Sequence, residues 1–138
     1  MTSFLIKATG YYPTSPDIAD TPEGRMEGGP LDRRGKPLCT LQGFLAGKHP
    51  YVSVAMDKEL NIPYGSLLWI PSFDAYYQKP IVFRVVDTGG AFTGKAWTRM
   101  DICTADKKAS VDSFLNKRHT VFPLIFQVQE QAARSIKA

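Results

Sequence analysis

The chain has 138 residues, an apolar share of 43% and a formal net charge of +4. Because this length suits one hydrophobic core, we predict a single domain over residues 1–138. No run reaches the roughly 18 apolar residues that a membrane-spanning helix needs. Residues 1–7 lack the basic region, apolar core and cleavage site of a secretion signal. We therefore expect a soluble chain that is delivered by another route or has already lost a signal.

Basic residues outnumber acidic ones, with 17 Lys and Arg against 13 Asp and Glu. A mild basic excess favours an anionic polymer as partner. The basic residues are spread along the chain and do not alternate with aromatic residues as in a nucleic-acid surface. We therefore expect most of them on the solvated surface and no nucleic-acid partner.

The two cysteines, Cys39 and Cys103, form no Cys-x-x-Cys motif and have no histidine at ligand spacing. This pattern predicts no metal site. We expect two free, partly buried thiols, with a disulfide as the alternative. A cysteine nucleophile would need His49 or His119 as its base, but the pattern pairs neither with a thiol, and we interpret both histidines as surface or packing residues.

Apolar, aromatic and β-branched residues predict six short strands. These strands cover residues 4–12, 51–57, 66–70, 81–86, 99–103 and 120–128. Residues 13–37 are rich in proline and glycine and predict a long loop, which in a small domain is often functional. Helices are expected at residues 107–115 and 129–138. Short strands with one or two short helices indicate a mainly β protein built as a small barrel.

Three aspartates, Asp57, Asp87 and Asp101, each close or occupy a predicted strand. A rigid strand end can hold a carboxylate at the mouth of a cleft, although aspartate also commonly caps turns. Asp87 opens the glycine-rich segment 87–94, where a ligand can approach the backbone closely. The segment matches neither a P-loop nor a dinucleotide-binding fingerprint.

The stretch Asp87-Thr88-Gly89-Gly90-Ala91-Phe92-Thr93-Gly94, followed by Asp101-Ile102, resembles the signature of the three-aspartate domain. This domain occurs in the lytic transglycosylase A family and in small lytic transglycosylases of spore-forming bacteria. The resemblance extends over residues 6–128. It includes segments 8–12, 54–57 and 62–65, and the closing unit formed by 107–115 and 120–128. The spacing from Asp87 to Asp101 is a few residues longer than the family pattern, so residues 95–99 hold an insertion that could alter substrate choice or abolish activity.

The resemblance implies a six-stranded double-psi β-barrel that acts on peptidoglycan at the cell wall or in the periplasm. It makes Asp101 the catalytic acid and matches Asp87 and Asp57 to the family's other acidic positions. The glycine-rich segment makes Thr88, Gly89 and Gly90 candidate substrate-binding residues, because a ligand can approach its backbone closely. Two further substrate-binding residues are expected from chemistry, since Trp97 can stack on a sugar ring and Arg99 can bind a carboxylate.

The implied reaction cleaves the β-1,4 bond between N-acetylmuramic acid and N-acetylglucosamine. A protonated carboxyl gives its proton to the leaving oxygen, and the sugar's own 6-hydroxyl attacks to give a 1,6-anhydro product. We expect a monomer that needs neither metal nor cofactor. The alternative is a non-catalytic glycan-binding or structural barrel, for example in a phage tail, because a fold does not determine function.

Overall fold

The computed structural model of the protein describes residues 2–13, 29–88 and 96–124. These residues form six strands: Phe4–Tyr11 (β1), Val52–Met56 (β2), Ser66–Trp69 (β3), Phe83–Thr88 (β4), Arg99–Cys103 (β5) and Arg118–Pro123 (β6). The short helices of the described part are Leu41–Leu45 (α1), Pro71–Tyr77 (α2) and Lys107–Ser110 (α3). Two 3-10 turns, Lys58–Leu60 and Ala96–Thr98, follow β2 and precede β5.

The six strands close into a mixed β-barrel with the order β1-β5-β2-β4-β3-β6. The pairs β1–β5 and β2–β4 are parallel, and the other neighbouring pairs are antiparallel. Closure pairs both sides of each of these six strands, so none of them presents an open edge to another chain. The prediction of a mainly β, six-stranded small barrel with few short helices is confirmed.

Side chains alternate along the strands between the barrel interior and its outer face, as the two-residue period of a strand requires. The interior residues of the strands are Ile6, Ala8, Val52, Val54, Met56, Leu68, Phe83, Val85, Met100, Ile102 and Val121. A second, smaller cluster lies on the outer face and consists of Tyr11, Leu38, Ala55 and Cys103. Asp101 and Cys103 therefore share the outer face of β5, on either side of the interior residue Ile102.

Two helices, α1 and α2, were not predicted. Thr40 caps α1 by accepting a hydrogen bond from the Gly43 N–H at 2.9 Å. Pro71 stands in the first turn of α2, where its missing N–H costs nothing. The same proline read in the sequence as the end of a strand. Helix α2 contributes the fully buried Phe73, which packs edge-on against Phe83.

Helix α3 ends at Ser110 and is therefore five residues shorter than the helix predicted over residues 107–115. Val111 is 69% exposed and does not extend an apolar face. Beyond it, Asp112 accepts a hydrogen bond from the Leu115 N–H at 3.1 Å, and the Asn116 amide donates to the carbonyl of Ser110 at 2.8 Å. Side-chain hydrogen bonds thus replace the helical ones in this turn.

A close backbone contact joins β1 to α3. A Cβ on Gly10 would lie only 2.4 Å from the carbonyl oxygen of Ser110. Gly10 is therefore required because any side chain there would push the helix off the strand.

The buried His119 ties β6 to α2 and to the turn that follows α3. Its Nε2 lies 3.0 Å from the carbonyl oxygen of Phe114, so this nitrogen carries the proton, and the Ser72 hydroxyl donates to Nδ1 at 2.7 Å. Burial lowers the pKa of His119, and hydrogen bonds to the Leu115 and Phe114 carbonyls partly oppose that shift. His119 is therefore a packing residue.

Both cysteines are free and buried, which confirms the expectation of two thiols rather than a disulfide. No helix within the described ranges is long and apolar enough to cross a membrane.

Candidate functional site

The barrel register lines up two of the three aspartates on the outer face. Asp101 of β5 pairs with Thr9 of β1 on one side and with Ala55 of β2 on the other, and Ala55 pairs in turn with Asp87 of β4. We call these four residues the acidic row. Since neighbouring strands lie about 4.8 Å apart, the backbones at Asp101 and Asp87 are separated by roughly 10 Å.

A β-bulge in β4 brings Asp87 into this row. The register between β2 and β4 shifts after Val54, so that Val54 faces Val85 but Ala55 faces Asp87. Val86 is the extra residue, and its carbonyl accepts a hydrogen bond from the Arg33 N–H at 3.3 Å. Bulges re-aim side chains in this way, and without this one Val86 would oppose Ala55.

Asp101 is partly buried, and the Thr9 hydroxyl donates a hydrogen bond to its Oδ1. Thr9 is the direct neighbour of Asp101 across the parallel β1–β5 pair. A β-branched side chain has few rotamers, so Thr9 fixes the orientation of the carboxyl group.

Asp87 is also partly buried, and its Oδ1 accepts the N–H of Thr88 at 2.9 Å. Burial is the main cause of a raised pKa at Asp87, and the negative charge of Asp32 raises the pKa further. The hydrogen bond from the Thr88 N–H and the positive charge of Arg33 lower it in part. Asp87 therefore holds its proton more tightly than an exposed aspartate does.

A buried tyrosine hydroxyl lies on the same face of the barrel as both carboxylates, where Tyr11 pairs with Cys103. Tyr11 is only 5% exposed, and among the described residues its hydroxyl has no hydrogen-bond partner apart from the weakly polar Cys103 thiol. Burial raises the pKa of Tyr11 well above its usual range, and Cys103, Asp87 and Asp101 raise it further. The hydroxyl is therefore a neutral group that can donate a hydrogen bond beside the acidic row.

The third predicted aspartate, Asp57, lies outside the acidic row and is 3% exposed. Its Oδ1 accepts the Glu59 N–H at 3.0 Å, and its Oδ2 accepts the Ala96 N–H at 3.1 Å. Ala96 has a left-handed backbone with φ of 50°, which is unfavourable for a residue with a Cβ. Asp57 thus holds the turn after β2 and the backbone just before β5.

The predicted substrate-binding residues have different surroundings. Trp97 stacks on Phe4, with ring centroids 4.6 Å apart and planes 9° apart, so one face of its ring is used in packing. Thr88 ends β4 beside Met56. Arg99 lies two residues before Asp101, on the same outer face of β5. Gly89 and Gly90 lie outside the described residues.

Sequence analysis missed Thr9, Tyr11 and the bulge at Val86. The positions of Thr9 and Tyr11 on the outer face could have been predicted from the alternation in β1. Lys7, Thr9 and Tyr11 are spaced by two residues, and the residues between them point to the opposite face. The bulge has no such pattern, since it depends on how β2 and β4 pair.

Among the described residues, no group of three or more His, Cys, Asp or Glu side chains could hold a metal ion. No protein-family model matches the chain, and no curated protein sequence matches it significantly.

Proposed function

We propose that the protein is a lytic transglycosylase that cleaves the β-1,4 bond between N-acetylmuramic acid and N-acetylglucosamine in peptidoglycan, with Asp101 as acid and base. The observation that carries the proposal is the acidic row: Asp101 is oriented by the Thr9 hydroxyl and lies in register with Ala55 and Asp87 on the outer face of the barrel. This arrangement supports an acid–base reaction at one carboxyl group with a neutral donor, Thr9, beside it.

In the proposed reaction, protonated Asp101 gives its proton to the glycosidic oxygen as the bond to the anomeric carbon breaks. The 6-hydroxyl oxygen of the same muramic residue then bonds to that carbon, and Asp101 accepts the hydroxyl proton. Asp101 ends in its starting, protonated form, and no water is consumed. A second carboxylate nucleophile is not required, which suits the wide separation of Asp87 from Asp101.

Thr9, Tyr11 and Asp57 play different parts in this scheme. Thr9 keeps the carboxyl group in one rotamer, which reduces the entropy lost when the substrate binds. Tyr11 packs beside Cys103 on the outer face of the barrel, and its hydroxyl is buried there as a neutral group instead of contacting the sugar. Asp57 acts at a distance from the chemistry, by fixing the backbone that leads into β5.

The test is to incubate the purified chain with peptidoglycan and to detect 1,6-anhydromuropeptides by mass spectrometry. Asp101→Asn should slow product formation by about a hundredfold to ten-thousandfold, the usual contribution of acid–base catalysis. Asn keeps an acceptor for the Thr9 hydroxyl, so the variant should unfold at nearly the same temperature as the unmodified protein. Asp106→Asn is the matched control, because Asp106 is exposed and asparagine caps helices equally well.

Unchanged activity in Asp101→Asn would overturn the assignment of the acid. Absence of anhydro product over a wide pH range, together with binding to peptidoglycan, would favour the alternative of a non-catalytic glycan-binding barrel.

A further inference from the structure

A second row on the outer face carries only positive charge. Lys7 of β1 pairs with Arg99 of β5 on one side and with Arg118 of β6 on the other. All three side chains point outward, because the next residue on each strand is buried. We call Lys7, Arg99 and Arg118 the cationic row.

Neighbouring strands lie about 4.8 Å apart, so Lys7 lies between two cationic side chains. The Lys7 ammonium donates to the Asn116 carbonyl at 2.9 Å, which holds it in place between the two arginines. Arginine and lysine side chains grouped in this way recognise carboxylates through charge-assisted hydrogen bonds.

The cationic row forms the floor of an open groove of about 910 Å³. The groove is lined by Leu5, Lys7, Thr98, Arg99, Lys117 and Arg118. Four of these six residues are basic and none is acidic. The volume lies at the upper end of the range for small-molecule sites, which suits an extended ligand with several polar groups.

The groove adjoins the acidic row. Lys7 precedes Thr9 by two residues on β1, and Arg99 precedes Asp101 by two residues on β5. Two residues of a strand span roughly 6.6 Å. An anion held by the cationic row is therefore one sugar or one amino acid away from the carboxyl group of Asp101.

We infer that this groove binds carboxylates of the peptide stem of peptidoglycan, an inference that rests on the proposed function. The muramic residue, whose glycosidic bond is cleaved, is also the residue that bears the stem. The bare glycan backbone offers no free carboxylate once the lactyl group is joined to the stem, so the charged groups available to the groove belong to the peptide. The preferred substrate is then a glycan strand that still carries its peptides.

The experiment measures binding on the full chain carrying Asp101→Asn, so that turnover does not interfere. Two ligands are compared: glycan strands with their stems, and the same strands after an amidase has removed the stems and the lactyl carboxylates freed by that cleavage have been converted to neutral amides. The groove variant is Lys117→Gln with Arg118→Gln, since both side chains are exposed. The control is Lys48→Gln with Lys107→Gln. Both lysines are exposed and lie outside the groove, and their substitution removes the same amount of positive charge.

We expect the protein and its control to bind peptide-bearing strands roughly tenfold more tightly than stripped strands, a preference equivalent to a few charge-assisted contacts. The groove variant should lose this preference, and added salt should weaken it in the unaltered groove. Equal preference in the groove variant and the control would overturn the inference. Competition by inorganic phosphate, with no preference for peptide-bearing strands, would also overturn it in favour of a general anion site.

The two proposals can fail separately. If the chain with Asp101 intact converts stripped strands to anhydro products while the groove variant binds both strands like the control, the groove assignment fails and the transglycosylase stands. If binding depends on the groove but neither strand yields anhydro product, the groove stands and the proposed reaction fails.

Discussion

Asp57 and Asp101 are both aspartates on or beside a strand of the same barrel, yet their surroundings differ in kind. Both oxygens of Asp57 accept backbone N–H groups, and the residue is almost fully buried. Asp101 is partly buried on the outer face and receives the Thr9 hydroxyl. The two backbone hydrogen bonds of Asp57 join separate segments of the chain, whereas Asp101 lies on the outer face in register with Asp87.

Asp87 stands between these two cases. Like Asp101 it belongs to the acidic row, but like Asp57 it accepts a backbone N–H, from Thr88. Its raised pKa shows that burial outweighs this one hydrogen bond. The residue type alone therefore does not reveal the role, and the role follows from what each oxygen contacts.

The largest effect on stability is expected at Asp57. Asp57→Asn replaces one acceptor oxygen with an NH2 group that faces a backbone N–H, which should lower the free energy of unfolding by about 2 kcal/mol. Urea unfolding measures this loss. Asp101→Asn serves as the comparison and should change stability by less than about 1 kcal/mol. Equal losses in the two variants would remove the distinction between a structural and a chemical aspartate.

Tyr11→Phe tests the buried hydroxyl beside the acidic row. Its removal should leave stability unchanged or raise it by up to about 1 kcal/mol, because a buried hydroxyl without a strong partner is costly. Activity should stay within about threefold of the unmodified protein, because the buried hydroxyl does not contact the substrate. A large loss of stability would mean that the hydroxyl serves the fold instead.

Asp87→Asn should give the smallest effect, and its sign depends on pH. Because the folded-state pKa is raised, the group favours the folded state below the unfolded pKa of about 3.9. This contribution disappears as the pH rises through the folded pKa. The variant should therefore gain a few tenths of a kcal/mol at pH 7 and lose that gain toward pH 3, since the site is partly exposed.

A loss of stability at pH 7 in Asp87→Asn would mean that the carboxylate has a favourable partner that outweighs its burial.

Five of the six strands could be located to within about two residues, because their apolar, aromatic and β-branched residues form short runs bounded by turn residues. The sixth, β6, begins earlier and ends sooner than predicted, at Arg118 and Pro123. Helix α2 was missed because Pro71 marks a helix start as readily as a strand end.

The acidic row and the cationic row could not be predicted, because they depend on which strands pair with each other and not on the local sequence pattern. Arg99 meets Lys7 through a parallel pair, and Lys7 meets Arg118 through an antiparallel pair. Nothing in the local sequence of β1 indicates which strands will flank it. The bulge at Val86 is likewise a property of two strands together, and it decides whether Asp87 or a valine lies in the acidic row.

The most direct test of the central claim is to digest peptidoglycan in water labelled with heavy oxygen and to weigh the products. Intramolecular attack by the 6-hydroxyl consumes no water, so we predict unlabelled 1,6-anhydromuropeptides whose formation depends on Asp101. Labelled reducing-end sugars in place of the anhydro product would show hydrolysis by an activated water and would contradict the account.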